Sequence, residues 1–149
     1  MAEIIILGII ISIVFYELTD ISPGGIIVPG LMVIYVSQWT RMLYTVAIAI
    51  LAYYIVKLLS ARFIIFGKRR FVMLIIVSLA LHFAINFILG LFFNDLSGLT
   101  ISVVGYTIAG IIANNIYKQG IKRTVPSLAI VVCLLEIIIL VLGQLGVSL

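Results

Sequence analysis

Apolar residues run along this chain in six blocks, approximately 4–16, 21–36, 42–56, 71–93, 99–117 and 125–149, and the charged residues fall between them or at their edges. None of the blocks alternates with the period of two that a half-buried strand or a barrel strand needs, so each reads as a helix. A helix crossing about 30 Å of hydrocarbon takes about 20 residues. The fourth and sixth blocks meet that length comfortably. The second and third are short, and must thin the bilayer, recruit their flanks or stay broken inside a bundle. Hydrocarbon offers no hydrogen-bond partners, so a crossing backbone has to satisfy itself. The expected fold is therefore all-α, a polytopic membrane helical bundle of about six spans forming a single integral membrane domain, 1–149.

Composition sharpens this class. The chain is 65% hydrophobic and only 9% charged, with a mean hydropathy of +1.44, far outside the usage of soluble domains. The opening Met-Ala-Glu has no basic region and no small-residue cleavage site follows, so the first helix is expected to be retained. The one cysteine, Cys133, lies in the last block. It allows neither a disulfide nor a thiolate metal cluster within one chain, and it reads as a small buried apolar residue.

The net charge of +4 does not point to nucleic acid, because the cations flank apolar spans and are not interleaved with exposed aromatics. Arg41 lies alone in the second connection. Lys57, Arg62, Lys68, Arg69 and Arg70 lie in the third, and Lys118, Lys122 and Arg123 in the fifth. The positive-inside rule makes the third and fifth connections cytoplasmic. Six spans satisfy this with Arg41 and the Asn94-Asp95 turn on the opposite side and both termini outside. A re-entrant fifth segment would export the 118–123 cluster, which the same rule disfavours.

The second and fifth blocks echo each other. Gly25 to Met32 and Gly105 to Ile112 align at an offset of 80, and 42–58 meets 122–138 at the same offset. Three spans per copy is an odd number, so the second copy would enter the bilayer upside down, giving a 3+3 inverted repeat with Gly/Pro-interrupted helices. Its copies would be 1–60 and 71–149, joined by a basic cytoplasmic connection, 57–70. Interruptions at corresponding places line a path or site in such proteins, which nominates Glu17, Pro23, Gly25, Pro29, Gly30, Gly105, Gly110 and Asn114. The alternative is that the glycines serve close helix packing alone.

Three polar groups sit deep inside apolar blocks: His82, Asn86 one turn later, and Glu136. Ionisable groups at that depth are costly and face the bundle interior or water. They read either as a proton or ion relay, or as a neutral contact between helices with Glu136 protonated or facing a partner subunit. Glu17 and Asp20 close the first block, where they would hold a cation or a basic loop, or simply face water. The Lys68-Arg69-Arg70 cluster reads as an anchor to anionic lipid, worth about 1 kcal/mol per cation, or as a dock for an acidic polymer or a cytosolic partner. Catalytic constellations are missing: no Walker loop, no metal-spaced His and carboxylate set, and no Ser-His-Asp candidate outside the membrane. No cofactor, no metal and no catalytic machinery of the chain's own are expected.

Three blocks carry a family resemblance. Residues 17–30, with Pro23, Gly25, Pro29 and Gly30, the basic turn Gly67 to Phe71, and residues 110–120, with Ala113, Asn114, Lys118, Gln119 and Gly120, together resemble the CapC/PgsC family of poly-gamma-glutamate capsule synthesis. The blocks span most of the chain. One departure is Ile108-Ala109-Gly110 where the family often has Val-Pro-Gly, which predicts a milder second interruption and puts a symmetric two-gate mechanism in doubt.

The resemblance implies a bacterial plasma-membrane subunit working with an ATP-dependent amide ligase and with an extracellular-facing membrane-anchored subunit. The nucleotide chemistry would sit on the ligase. Poly-gamma-glutamate is a polyanion that cannot cross hydrocarbon unaided. A cytoplasmic ring of Lys57, Arg62, Lys68, Arg69, Arg70, Lys118, Lys122 and Arg123 would seat the ligase or gather the polymer for export. The alternative is a small stand-alone secondary transporter.

Overall fold

The computed structural model describes residues 2–36, 38–60, 62, 67–92 and 107–144. Among them are six helices and no strand: α1 (Ala2–Thr19), α2 (Val28–Ile34), α3 (Trp39–Ser60), α4 (Lys68–Phe92), α5 (Ile108–Gln119) and α6 (Ile121–Gln144). Three of these are long and apolar enough to cross a membrane, over Trp39–Ser60, Lys68–Ile88 and Ile121–Leu142. All-helical architecture is thus what the periodicity anticipates. The helix boundaries differ from the apolar blocks in an instructive way.

Helices α3 and α4 run outward past their apolar blocks and take charged flanks with them. Arg41 is in the first turn of α3, Lys57 in its last turn, and Lys68, Arg69 and Arg70 in the first turn of α4. Lys and Arg lay apolar stems along a helix end while the charge reaches water, so a helix need not stop where hydropathy does. The second block behaves oppositely. Only seven of its residues, Val28–Ile34, are helical, and 21–27 are not. Pro29 does not interrupt this helix. It lies in the first turn, where no backbone donor is required.

The chain forms two compact units. One comprises residues 1–39 and 115–149, hence α1, α2, α6 and the end of α5; the other comprises 40–114, hence α3, α4 and the beginning of α5. In the first unit α1, α2 and α6 pack on one another. A Cβ on Gly8 of α1 would lie 2.4 Å from the Cα of Gly30 on α2 and 3.6 Å from Leu135 Cδ1 on α6. In the second unit Gly110 of α5 backs onto α4, where an added Cβ would lie 2.8 Å from Ile75 Cα and 3.1 Å from Ser78 Oγ. Small residues let these backbones touch, as they do between helices in lipid.

The same buried register occurs twice along the chain. Residues 28, 29, 30, 32, 33 and 36 are buried, and so are 108, 109, 110, 112, 113 and 116, each 80 further on. Residues 45, 48, 49, 52 and 56 of α3 match 124, 127, 128, 131 and 135 of α6 at an offset of 79. Gly8 and Ser12 of α1 match Ser78 and His82 of α4 at an offset of 70. Helices α2 and α5 begin at equivalent positions, Val28 and Ile108, so replacing Pro29 by Ala109 leaves the helix start unchanged.

Unlike a soluble bundle, this one is apolar on its outward face as well as in its core, and several hydroxyls are buried. Ser12, Thr45, Ser78, Thr124 and Ser127 are buried, whereas Leu18, Leu43, Leu58, Phe87 and Leu140 are exposed. Most of the buried hydroxyls are satisfied locally: Ser12 donates to Gly8 O at 2.7 Å, Thr45 to Arg41 O at 2.7 Å and Thr124 to Gly120 O at 2.9 Å. Hydrocarbon surroundings favour this arrangement, since lipid makes exposed aliphatic side chains harmless and uncovered polar groups costly. Cys133, expected to be buried, is exposed on α6 among such residues. Its thiol lies on the outward stripe with Ile130, Leu134 and Ile137.

Candidate functional site

The two blocks that carry most of the family resemblance meet in the first unit. Helix α1 closes with Asp20 in the left-handed region, φ 54°, its N–H donating to Tyr16 O at 2.8 Å. The chain then turns through Ser22-Pro23-Gly24-Gly25, where Gly24 and Gly25 take φ of 80° and 123°, angles that glycine adopts at no steric cost. Two side chains one turn apart on α5 hold this turn. Gln119 Oε1 accepts from Ser22 N at 3.1 Å, and Gln119 Nε2 donates back to Ser22 O. Asn115 Nδ2 donates to Gly24 O at 2.8 Å. Gln119 is itself braced by Thr124 Oγ1 at 3.2 Å. Gly120, at φ 89°, closes α5 by donating to Ile116 O at 2.8 Å and lets α6 start at once.

These contacts fix how far the broken segment travels. Ser22 lies at the C-terminal end of α1, whereas Gly30 lies against Ile5 and Gly8 near its N-terminal end. Gly8 to Thr19 of α1 is a helical rise of about 16 Å. The chain from Ser22 to Gly30 runs back along this stretch with 21–27 unwound and helix resuming at Val28. Helix α2 then carries on to Ile34. The second block therefore runs back along α1 as an unwound segment followed by a short helix. Non-helical backbone at membrane depth persists where it is buried in protein or lines water. Pro23 and Gly24 are buried here and Gly25 is half-buried.

The remaining candidates divide between the units. Lys57, Arg62, Lys68 and Arg69 are exposed and Arg70 is half-buried, all in the second unit, with Lys57 Nζ 5.6 Å from the centre of the Tyr53 ring. Lys118, Lys122 and Arg123 are exposed in the first unit, beside the clamp. Glu17 is exposed, Pro29, Gly30 and Gly110 are buried, and Asn114 is half-buried. Gly105 lies outside the described residues. His82 is buried and Asn86 half-buried; Asn86 Nδ2 is 3.0 Å from His82 Nε2, a bond along one helix and not between helices. Glu136 is half-buried on α6, next to fully buried Leu135. No group of three or more His, Cys, Asp or Glu able to hold a metal occurs among the described residues.

Asn115, Gln119, Ser22 and Gly8 are the functional candidates that the sequence reading passes over. Asn115 and Gln119 stand inside the 110–120 block, but choosing Asn115 over Asn114 requires knowing which face of α5 meets the turn.

Among the described residues, an all-helical fold with three helices long and apolar enough to cross a membrane is consistent with a membrane protein. The comparisons make the class particular. The family model "Capsule biosynthesis CapC" matches residues 7–125. The chain is 33% identical over 124 residues to the PGA biosynthesis protein CapC of Bacillus subtilis (strain 168), covering 83% of this chain and 82% of that one. It is 31% identical over 127 residues to the Capsule biosynthesis protein CapC of Bacillus anthracis, with the same coverage. The chain belongs to the CapC capsule biosynthesis family. No solved structure matches it.

Proposed function

We propose that this chain is the multi-pass plasma-membrane subunit of a poly-gamma-glutamate synthesis and export complex, seating the ATP-dependent amide ligase through its basic helix ends and contributing its broken crossing to the polymer's route. The observation that carries this is the clamp of Asn115 and Gln119 on Ser22 and Gly24. It ties together the two blocks most specific to the family and holds an unwound backbone, 21–27, against the end of α5, which a purely structural anchor does not need.

Family membership supports a part in capsule synthesis, and the name of the Bacillus subtilis relative supports PGA as the product. The exposed cations support a polyanionic or acidic partner on one membrane face. The repeated buried register supports two copies of one three-helix plan, and an odd number of crossings per copy threads the second in the opposite sense.

Co-purification from mild detergent tests the assembly. The ligase and the extracellular-facing subunit are expected to accompany the tagged chain; recovery of the chain alone, with polymer still made, would overturn it. The broken crossing also favours a second function, a stand-alone secondary transporter. Transport by the purified chain in liposomes without partners would select that one.

A further inference from the structure

We propose that Tyr44, His82 and Asn86 form a proton-binding site within the α3–α4 pair, in which Asn86 sets the tautomer of the imidazole. His82 lies near the middle of α4, 5% exposed. Its ring is met edge-on by Tyr44 of α3, with centroids 6.1 Å apart, and by Phe83 at 5.9 Å. Asn86 Nδ2 lies 3.0 Å from Nε2 and 3.5 Å from Nδ1. With the amide N–H donating to the nearer nitrogen, Nε2 takes the lone pair and the neutral ring carries its proton on Nδ1. The Tyr44 hydroxyl is a buried oxygen with no hydrogen-bond partner in the structure. A buried hydroxyl left unmatched is costly and points to a small polar ligand, here water as the carrier of the proton.

Packing alone does not demand an imidazole at this place. Gly30 meets Ile5 and Gly8 of α1 as Gly110 meets Ile75 and Ser78 of α4, each 70 residues further on. In that register Ser12 occupies the seat of His82. Ser12 is fully buried, and its hydroxyl is satisfied by its own helix. The second unit therefore carries a titratable group where the first does with a hydroxyl. On α3 the titratable Tyr44 meets the ring. A proton arriving from water adds to the Nε2 lone pair. Both ring nitrogens then donate, and Asn86 must turn its Oδ1 toward the ring to accept. Uptake of one proton is thereby coupled to rotation of one side-chain amide.

The chain has one histidine, so ring-¹⁵N labelling gives a single imidazole to observe in the purified protein in micelles or nanodiscs. The expected spectrum at about pH 8 is a neutral ring protonated at Nδ1, converting to the doubly protonated form on acidification toward about pH 4. Asn86→Leu is expected to abolish the Nδ1–H preference, and Tyr44→Phe to shift the titration. A ring protonated at Nε2, or one that stays in a single state over the whole range, overturns the proposal. Neither outcome depends on whether the chain binds the ligase.

Discussion

Gln119 holds Ser22 by both edges of one amide, accepting from its N–H at 3.1 Å and donating to its carbonyl, although 97 residues separate the two. A backbone that has left its helix needs such a partner, because its N–H and C=O groups no longer have helical bonds. Gln119→Leu removes both bonds and strands the Ser22 N–H and C=O, a cost of about 1–3 kcal/mol. Gln119→Glu keeps an acceptor but loses the donor toward Ser22 O and Thr124. Thermal unfolding in detergent should rank wild type above Glu, and Glu at or above Leu.

Gly8 and Gly110 tolerate no side chain without backbone movement, since the atoms an added Cβ would strike at 2.4 and 2.8 Å are Cα atoms. Gly8→Ala and Gly110→Ala should each cost about 1–3 kcal/mol by overpacking. At Gly30 the nearest contacts are 3.2–3.4 Å, so alanine there should cost less. Chemical denaturation of the three variants checks the order, and an undiminished Gly8→Ala protein would contradict the close approach of α1 and α2.

Cys133 is exposed in the middle of α6, which makes it a reporter of what surrounds that helix. In intact membranes a charged, membrane-impermeant maleimide should leave it unlabelled while a lipophilic maleimide reacts. Rapid labelling by the charged reagent would place water, not lipid tails, against that face.

Lys68, Arg69 and Arg70 crowd the first turn of α4, with no acidic residue among them. The helix N-terminus already carries partial positive charge, which disfavours cations there. Changing all three to Gln should abolish polymer while the protein still inserts, read as capsule yield at matched membrane abundance. Normal yield from the triple variant would rule out the basic turn as the ligase seat.

How much of this was legible beforehand follows from what each signal measures. Hydropathy finds α3, α4 and α6, because their apolar length is itself the cause of their stability in lipid. It misplaces their ends, since snorkelling cations are polar to a hydropathy window and helical to the backbone. It reads Pro29 as a break in a helix, although proline in a first turn starts one. The unwinding of 21–27 comes from glycines at positive φ and from partners on α5, and pairing across 97 residues has no local signature. Gly30 and Gly110 were visible from their alignment, but Gly8, the other half of one contact, aligns with a serine. His82 and Asn86 are conspicuous in the sequence as polar groups inside an apolar block, whereas Tyr44 is not, because tyrosine is ordinary in an apolar run.

The central claim is tested most directly in a host that carries the ligase and the extracellular-facing subunit but lacks this chain, with surface polymer as the measurement. Wild-type chain should restore the polymer, and Gln119→Leu at equal membrane abundance should not. Polymer accumulating to the same level with no copy of the chain present would contradict its place in synthesis and export.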